Sequence, residues 1–202
     1  MCLMAKIIKY SLYFLWRLQN SKRYKKLGTR SFIDRPLKIN GSRNIIIGNH
    51  VFIGYKTWLA SMPNTVTSNP ILQIGDGTSI GHFNHIYATK KIIIGNNVLT
   101  ADKVYISDNI HGFDNVTLPI KNQPIQQKND VYIGDGSWLG ENVCVIGAKI
   151  GRNCVIGANS VVTRNIPDYC VSVGAPAKII KRYNYDIKQW KITNPDGLFI
   201  NI

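Results

Sequence analysis

Residues 131–162 read VYIGDGSWLGENVCVIGAKIGRNCVIGANSVV, in which an aliphatic residue followed by glycine keeps returning. The spacing is six residues from Ile133 to Leu139 and again from Ile150 to Ile156. A period of six matches neither the 3.6-residue period of an α-helix nor the two-residue alternation of a simple strand. It is typical of a coil in which short strands alternate with turns and each aliphatic side chain points inward.

The same period continues toward the N-terminus. Further Ile-Gly pairs begin at Ile47, Ile53, Ile74, Ile80 and Ile94. Glycine and asparagine recur at the intervening turn positions, where both tolerate unusual backbone angles. Coils stacked in this way bury one continuous apolar column, and each coil contacts only its neighbours.

Two segments interrupt the period. Residues 60–70, ASMPNTVTSNP, are rich in turn formers and predict an inserted loop. Residues 107–130 form the longest stretch without the repeat. Because long excursions from a compact fold are usually functional, we expect the second segment to carry part of a site.

Positive charge is concentrated at the start of the chain. The 202 residues, a length that suits one domain, include 25 Lys and Arg against 11 Asp and Glu, a net charge of +14. Eight basic residues precede the first acidic residue, Asp34. Such a field attracts phosphates, anionic lipid or an acidic small molecule. We expect no nucleic-acid binding, because no base-stacking platform or known basic motif accompanies the charge.

The composition places the chain in a reducing compartment. No apolar run reaches the ~18 residues of a spanning helix, and lysines interrupt the apolar start, so a secretory signal is not predicted. The cysteines are Cys2, Cys144, Cys154 and Cys170. Their spacing matches no zinc or redox motif, and we expect a cytoplasmic protein, peripheral to the inner membrane face if its basic start contacts lipid.

The pattern divides the chain into three segments. Residues 1–30 predict an amphipathic α-helix, over 3–26, that covers the open end of the coil stack and is a candidate for contact with an anionic membrane. Residues 31–180 predict the coil domain with the insertion at 107–130. Residues 181–202 predict a short C-terminal helix and tail.

Three motifs carry a resemblance to a known family. They are IGDGSWLGENV, IGANSVVTRNIP and VGAPAK, all within residues 130–182. The chain resembles the hexapeptide-repeat acetyltransferases, in the xenobiotic, maltose and galactoside branch, and polysaccharide O-acetyltransferases in particular. The resemblance covers roughly residues 45–182. It implies an all-β fold, a left-handed parallel β-helix, with acetyl-CoA as co-substrate and a homotrimer whose sites lie between subunits.

The longest interruption contains the candidate catalytic residue. It begins within VYISDNIHGFDN and contains His111. A histidine in a loop titrates near neutral pH and can accept a proton from a hydroxyl. The segment is similar to the catalytic loop of the family, which implies that His111 is the general base. No cysteine or serine stands out as a covalent nucleophile, so we expect direct transfer in a ternary complex.

The resemblance also implies the binding residues. The cofactor would contact Trp138, Gly140, Ala158, Thr163, Arg164, Lys178 and Lys181. Small residues at coil corners would leave room for the pantetheine arm, and the positive side chains would suit the phosphates. The acceptor would contact Asn84 and His85, in GHFNHIYA, together with Trp138.

The leading hypothesis is an acetyl-CoA-dependent O-acetyltransferase that acts on a hydroxyl of a carbohydrate, either a surface polysaccharide or a precursor sugar. An amino-sugar N-acetyltransferase is the near alternative. A zinc-dependent hydratase of the carbonic-anhydrase type would need three converging histidines. His82 and His85 are separated by an odd number of residues and would point to opposite sides of a strand, so no metal is expected. A non-catalytic solenoid is the last alternative.

Overall fold

The computed structural model describes residues 20–65 and 67–200. Most of the helix predicted over residues 3–26 lies outside the described residues. Within them, Ser21–Arg23 forms a single 3-10 turn and Lys26–Leu27 is already a strand. The end of the predicted helix is therefore wrong, because the backbone at Lys25 and Lys26 pairs with the next coil instead.

The described residues form short strands almost throughout. In chain order they are β1 (Lys26–Leu27), β2 (Phe32–Ile33), β3 (Lys38–Asn40), β4 (Ile45–Ile47), β5 (Phe52–Ile53), β6 (Trp58–Ser61), β7 (Ile71–Ile74), β8 (Ser79–Ile80), β9 (His85–Ala88), β10 (Lys91–Ile94), β11 (Leu99–Thr100), β12 (Tyr105–Ser107), β13 (Asn109–His111), β14 (Ile125–Gln127), β15 (Val131–Ile133), β16 (Trp138–Leu139), β17 (Cys144–Ile146), β18 (Lys149–Ile150), β19 (Val155–Ile156), β20 (Val161–Val162), β21 (Cys170–Val173), β22 (Lys178–Asn184) and β23 (Gln189–Ile192). Two more 3-10 turns cover Ser42–Asn44 and Ile120–Asn122.

Every third strand returns to the same sheet. The first sheet has the order β1-β4-β7-β10-β15-β18, the second begins β2-β5-β8-β11-β16-β19-β21, and the third has the order β3-β6-β9-β12-β17-β20. All of these neighbours pair in parallel. The three sheets are the faces of a prism, as the six-residue period predicts.

The core is a stack of aliphatic columns. One column of the first sheet consists of Ile47, Ile74, Ile94, Ile133 and Ile150, which stand in register. A column of the third sheet consists of Leu59, Ile86, Ile106, Val145 and Val162. These side chains are buried, and each contributes about 1.5–3 kcal/mol of hydrophobic free energy.

The recurrent glycine of the repeat is explained by the coil spacing. A Cβ added at Gly75 would lie 2.5 Å from the carbonyl carbon of Gly95 in the next coil. One added at Gly134 would lie 2.5 Å from the carbonyl carbon of Gly151. Backbone atoms occupy these positions, so any side chain would separate the coils.

The longest interruption forms a hairpin arm. Strands β13 and β14 pair antiparallel, with Asn109 opposite Gln127 and His111 opposite Ile125. The other interruption is shorter than predicted, because β6 continues to Ser61. In the described part of the chain, no helix has the length and apolarity needed to cross a bilayer.

The C-terminal segment contains strands where a short helix was predicted. Strand β22 pairs antiparallel with β21, and β23 pairs antiparallel with β22. The Asn184 side chain accepts hydrogen bonds from the backbone N–H groups of Asp186 and Ile187, at 2.9 and 3.2 Å. An asparagine used in this way starts a turn, and the edge of β21 supplies backbone partners for a strand.

Candidate active site

The candidate base, His111, lies at the C-terminal end of β13. The arm leaves the third sheet at the end of β12, and His111 is the last residue of β13. The N–H of Gly112 donates to the carbonyl of Pro124 at 2.9 Å, which closes the ladder beyond His111. The histidine is therefore carried by a paired strand and not by a free loop.

A buried carboxylate anchors the base of the arm. Asp108 has no exposed surface and accepts five hydrogen bonds. Its Oδ1 accepts from the N–H and hydroxyl of Thr89, at 2.8 and 3.0 Å, and from the Asn109 amide at 3.0 Å. Its Oδ2 accepts from the N–H groups of Lys90 and Lys91, both at 2.7 Å. Charge-assisted bonds of this number fix the point at which the chain leaves the prism.

The returning strand is fixed at the same place. The Gln127 amide donates to the carbonyl of Asp108 at 2.6 Å. Its Oε1 accepts from the hydroxyl of Thr65 at 2.7 Å and lies 3.1 Å from the hydroxyl of Thr89, whose single proton it shares with Asp108. Both strands of the arm and the shorter inserted loop therefore meet in one hydrogen-bond network.

The His111 side chain is exposed. Among the described residues, none forms a side-chain hydrogen bond to its imidazole. An exposed imidazole on an anchored strand is accessible to a substrate hydroxyl, which is one requirement for a general base.

Trp138 lies on a different face from the arm. It is the first residue of β16 in the second sheet, in register with Leu99 and Val155 on the neighbouring strands. Its side chain is 47% exposed, so its indole is available for contact. Within one chain, Trp138 and the strand that leads into the arm therefore belong to different sheets.

The predicted phosphate contacts gather at the last coils. Thr163 and Arg164 follow β20 directly and are exposed. Lys178 and Lys181 are exposed on β22, where a register shift between the two lets both face solvent despite their odd spacing. The VGAPAK segment lies beside β20, since the N–H of Ala177 donates to the carbonyl of Val161 at 2.8 Å.

The two predicted small residues have different surroundings. A Cβ on Gly140 would lie 2.7 Å from the backbone nitrogen of Ala158, so this glycine serves coil stacking. The next coil fills the space at its Cβ position, and a contact of Gly140 with pantetheine stays a prediction. Ala158 is exposed at the corner, and its role against pantetheine stays a prediction.

Asn84 is a structural residue in this chain. It is buried, and its amide donates to the carbonyls of His82 and Ala101 at 3.2 and 3.1 Å. Its Oδ1 accepts from the N–H of Val104 at 3.0 Å. With both ends of the amide used by the backbone, the geometry does not favour the predicted contact with an acceptor.

His85 faces outward in an aromatic stack. Its ring lies 4.2 Å from that of Trp58, at an interplanar angle of 6°, and 5.2 Å from that of Tyr105. Burial lowers the pKa of His85 below the usual value of 6.5, so the neutral form is favoured. Its Nε2 is buried without a hydrogen-bond partner among the described residues, and its ring is contacted by Trp58 on one neighbouring strand and by Tyr105 on the other.

Sequence comparison relates the chain to known proteins. Residues 130–164 match a family model described as "Hexapeptide repeat of succinyl-transferase". A probable acetyltransferase of Mycobacterium tuberculosis, Rv3034c, is 41% identical over 155 residues, which cover 74% of this chain and 49% of that protein. The putative lipopolysaccharide biosynthesis O-acetyl transferase WbbJ of Escherichia coli is 38% identical over 128 residues, covering 60% of this chain and 65% of WbbJ. Over these segments the chain is similar to the hexapeptide-repeat acetyltransferases.

Solved structures confirm the fold of this hexapeptide-repeat chain. A point mutant of AntD, an N-acyltransferase from Bacillus cereus crystallised with dTDP and coenzyme A, matches with a TM-score of 0.68 at 20% identity, over 82% of this chain and 87% of that one. The acetyltransferase VCA0836 of Vibrio cholerae, complexed with acetyl-CoA, matches with a TM-score of 0.59 at 23% identity, over 87% and 78%. The predicted left-handed parallel β-helix is therefore confirmed.

The hexapeptide-repeat chain spans about half of the mycobacterial relative and 65% of WbbJ.

Within residues 20–65 and 67–200, no group of three His, Cys, Asp or Glu side chains could hold a metal ion. His82 accepts the N–H of Tyr55 at 2.8 Å through Nδ1, while His85 stacks on Trp58. The three histidines of the zinc hypothesis do not converge on one point.

Sequence reasoning missed the residues that hold the arm. Asp108, Thr89 and Gln127 are polar residues of ordinary type, and no motif marks them. The available signal was the position of Asp108, which follows the buried strand β12 directly and opens the interruption. A carboxylate at a strand end, next to a long insertion, must find donors or face solvent.

Proposed function

We propose that this chain is an acetyl-CoA-dependent O-acetyltransferase that transfers an acetyl group to a hydroxyl of a carbohydrate. The observation that carries the proposal is the anchored arm that presents His111 to solvent. Sequence similarity to acetyltransferases and the O-acetyl transferase name of WbbJ support the reaction class. Because the chain covers only 49% of the mycobacterial relative and 65% of WbbJ, we also propose the acceptor and the assembly and do not take them from these proteins.

His111 is the general base in this proposal. An imidazole nitrogen accepts the proton of the acceptor hydroxyl while that oxygen bonds to the thioester carbon of acetyl-CoA. The carbon–sulfur bond breaks, the coenzyme A thiolate leaves, and the proton held by the imidazole can return to the sulfur. The products are the acetyl ester and coenzyme A, with no covalent enzyme intermediate.

The cysteines of the described residues support direct transfer. Burial raises the pKa of the Cys154 thiol to about 11 and also raises the pKa of the Cys144 and Cys170 thiols. At neutral pH these groups are protonated, and the thiol is a poor nucleophile compared with the thiolate. None of the three offers a ready site for an acetyl-enzyme.

The cofactor binds between Trp138 and the last coils in this proposal. Arg164, Lys178 and Lys181 supply exposed positive charge for the phosphates, and Thr163 supplies a hydroxyl beside them. VCA0836, which shares the fold, is complexed with acetyl-CoA.

A homotrimer would complete the site. The arm leaves the third sheet, whereas Trp138 lies on the second, so one chain does not bring the two together. Exposed apolar side chains follow the second sheet at Phe52, Leu99 and Trp138, and they would be covered between subunits. We propose that His111 of one subunit faces the cofactor residues of its neighbour.

Amino-sugar N-acetylation is the second candidate, because AntD is an N-acyltransferase. The two reactions differ in the stability of the product. An acetyl ester is released by mild alkali or hydroxylamine, whereas an acetamide resists both. Treatment of the labelled product with hydroxylamine therefore distinguishes O-acetylation from N-acetylation.

Mass spectrometry of cellular glycan tests the proposed function. Glycan from cells that contain the protein should carry one acetyl unit more than glycan from cells that lack it. The purified protein should release free coenzyme A from acetyl-CoA in the presence of that glycan. His111→Ala should lower the rate of release by roughly 10²- to 10⁴-fold, as expected for loss of a general base.

The binding of acetyl-CoA is the control for the His111→Ala variant. It should stay unchanged, because the base is not a cofactor contact. A variant that turns over at the wild-type rate would contradict the role of His111, and glycan of equal mass in both cells would contradict the proposed reaction.

A further inference from the structure

A cavity of about 630 Å³ opens on the corner between the second and third sheets. Its walls are Leu37, Tyr55, Lys56, Trp58, Phe83, Asn84 and His85. Most of its surface is apolar, and no carboxylate of the described residues lines it. A cavity of this size holds one or two sugar rings.

The floor of the cavity is a set of fixed aromatic rings. Trp58 stacks on His85, and its Nε1–H donates to Asn40 Oδ1 at 2.9 Å, which fixes the indole plane. Tyr55 and Phe83 meet edge to face, with centroids 5.8 Å apart. Lys38 and His85, on the two neighbouring strands, cover the faces of the Trp58 indole. The apolar surface left for the C–H face of a pyranose is therefore the half-exposed Phe83 ring.

The rim of the cavity is positively charged. Lys38 Nζ lies 5.5 Å from the Trp58 ring centroid, and Lys56 Nζ lies 5.6 Å from that of Tyr55. Arg35 also lies over Tyr55, but it is paired with Asp34 at 3.0 Å. Among the described residues, Lys38 and Lys56 have no ion-pair partner, so their charges are available to an anion.

The cavity is on the sheet from which the arm departs. His85 begins β9 and pairs with Tyr105 of β12, and Ser107 at the end of β12 precedes the arm. Two residues of strand span about 7 Å, so the cavity and the base of the arm are neighbours along the same two strands. A ligand in the cavity would therefore lie on the sheet from which the arm carries His111.

We propose that this cavity binds an acidic pyranose, a sugar that carries a carboxylate or a phosphate, as the acceptor of the transferase. The aromatic floor takes the apolar face of the ring, and Lys38 and Lys56 take the anion. The role of the bound sugar as acceptor rests on the proposed function, whereas its binding in the cavity does not depend on catalysis.

Calorimetric titration tests the proposal on the full chain. The probes are D-galacturonate, α-D-galactose 1-phosphate and the neutral methyl α-D-galactopyranoside. At least one acidic probe should bind about tenfold more tightly than the neutral sugar, a difference within reach of two ionic contacts. The two acidic probes distinguish a carboxylate acceptor from a phosphorylated one. Equal affinity for all three probes would overturn the proposal.

Lys56→Gln and Lys38→Gln locate the anion. Each should weaken the acidic probe several-fold, and the double variant should remove the preference over the neutral sugar. The matched control is Lys149→Gln, because Lys149 lies 5.2 Å from the Tyr132 centroid in the same arrangement on another face. An equal loss in Lys149→Gln and Lys56→Gln would show general attraction to the basic protein and would overturn the site.

Phe83→Asn tests the aromatic floor without endangering the fold. Phe83 has a positive φ of 54°, and asparagine already occupies that conformation at Asn97, Asn142 and Asn159. The variant should fold with wild-type stability or better and bind every probe more weakly. Unchanged binding in a folded Phe83→Asn protein would contradict the cavity as the binding place.

The outcomes separate this proposal from the proposed function. Acidic sugar that binds in the cavity while no glycan is acetylated would leave the site standing and contradict the transferase. Acetylation of the neutral sugar as readily as of the acidic ones would leave the transferase standing and overturn the acidic acceptor.

Discussion

Asp108 shows how much of the candidate site depends on one side chain. The donors around it include the backbone N–H groups of Thr89, Lys90 and Lys91, all of which point at the carboxylate. Buried donors of this kind lose several kcal/mol of hydration unless they are paired. The carboxylate therefore both stabilises the fold and sets the direction of the arm.

Asp108→Asn should be destabilising although it preserves the shape of the residue. Whichever way the amide is turned, its NH2 group faces at least two donors, for example the N–H groups of Lys90 and Lys91. We expect the free energy of unfolding to fall by about 1–3 kcal/mol, measured by urea denaturation. Turnover should fall as well, with the KM for acetyl-CoA unchanged.

Asp135→Asn is the matched control for Asp108. Asp135 accepts one hydrogen bond at a corner, from the N–H of Asn96 at 2.7 Å. In the preceding coil an asparagine, Asn96 itself, does the same for Asp76 at 2.8 Å. Stability should change by less than about 0.5 kcal/mol. A similar loss in both variants would mean that the Asp108 network is not special.

His85 should make the stability of the protein fall in mild acid. Burial lowers its pKa in the folded protein, whereas the unfolded chain has the usual value of 6.5. Below pH 6.5 the unfolded state therefore binds more protons than the folded state, and the free energy of unfolding decreases as pH falls toward the folded pKa. This part of the stability is complete above pH 6.5.

His85→Phe isolates this effect, because phenylalanine keeps a ring against Trp58 and cannot titrate. Its stability should change less than that of the wild type between pH 7.5 and pH 5.5, measured by urea denaturation. Asp76 and Asp168, whose pKa values are lowered by hydrogen bonds, act only below about pH 3.8. Identical slopes for the two proteins in this window would rule out His85 as the source.

At the scale of the element, the repeat predicted the coils because each six-residue unit forms one side of a three-sided coil. The hairpin arm, the 3-10 turn at Ser21–Arg23 and the strands at the C-terminus were not predicted. These segments have no repeat, and their structure depends on partners that are distant in sequence, such as β21 for β22. The same limit applies to Asn84, where the coil corner uses a side chain that resembled a ligand contact.

Gly134→Ala should separate two coils. The added Cβ would lie 2.5 Å from a backbone carbon of Gly151, and the backbone cannot move aside as a flexible side chain could. We expect a loss of about 1–3 kcal/mol in the free energy of unfolding. Glu141→Ala, on the exposed rim of the next corner, should cost far less, since it removes a surface pair with Lys103. Equal costs would show that coil spacing is not the constraint.

At the scale of the whole molecule, the arm that carries the candidate base leaves the third sheet, whereas Trp138, Lys178 and Lys181 are on the second. This separation predicts complementation between two inactive variants. His111→Ala subunits should be mixed, under reversible denaturation, with subunits that carry Lys178→Ala and Lys181→Ala. In a homotrimer with sites between neighbours, about one quarter of the sites in an equal mixture would have both intact halves.

Coenzyme A release by the refolded mixture is the measurement for this prediction, and each variant refolded alone is the control. Activity that stays at the level of the separate variants would place the whole site within one subunit. Light scattering that shows a monomer would contradict the assembly independently of activity. Membrane contact through residues 1–30 stays a prediction from their charge.

The reversal of direction at β22 has a consequence for aggregation. A stack of parallel strands leaves its final edge unsatisfied, and such an edge can recruit strands of other molecules into a growing fibril. Here β22 runs antiparallel along β21, and the N–H of Ala177 occupies the carbonyl of Val161 beside β20. The edges of β21 and β20 are thus already paired within the chain, which hinders the addition of a strand from another molecule. The protein therefore stays as separate particles, although its stacked strands resemble those of amyloid.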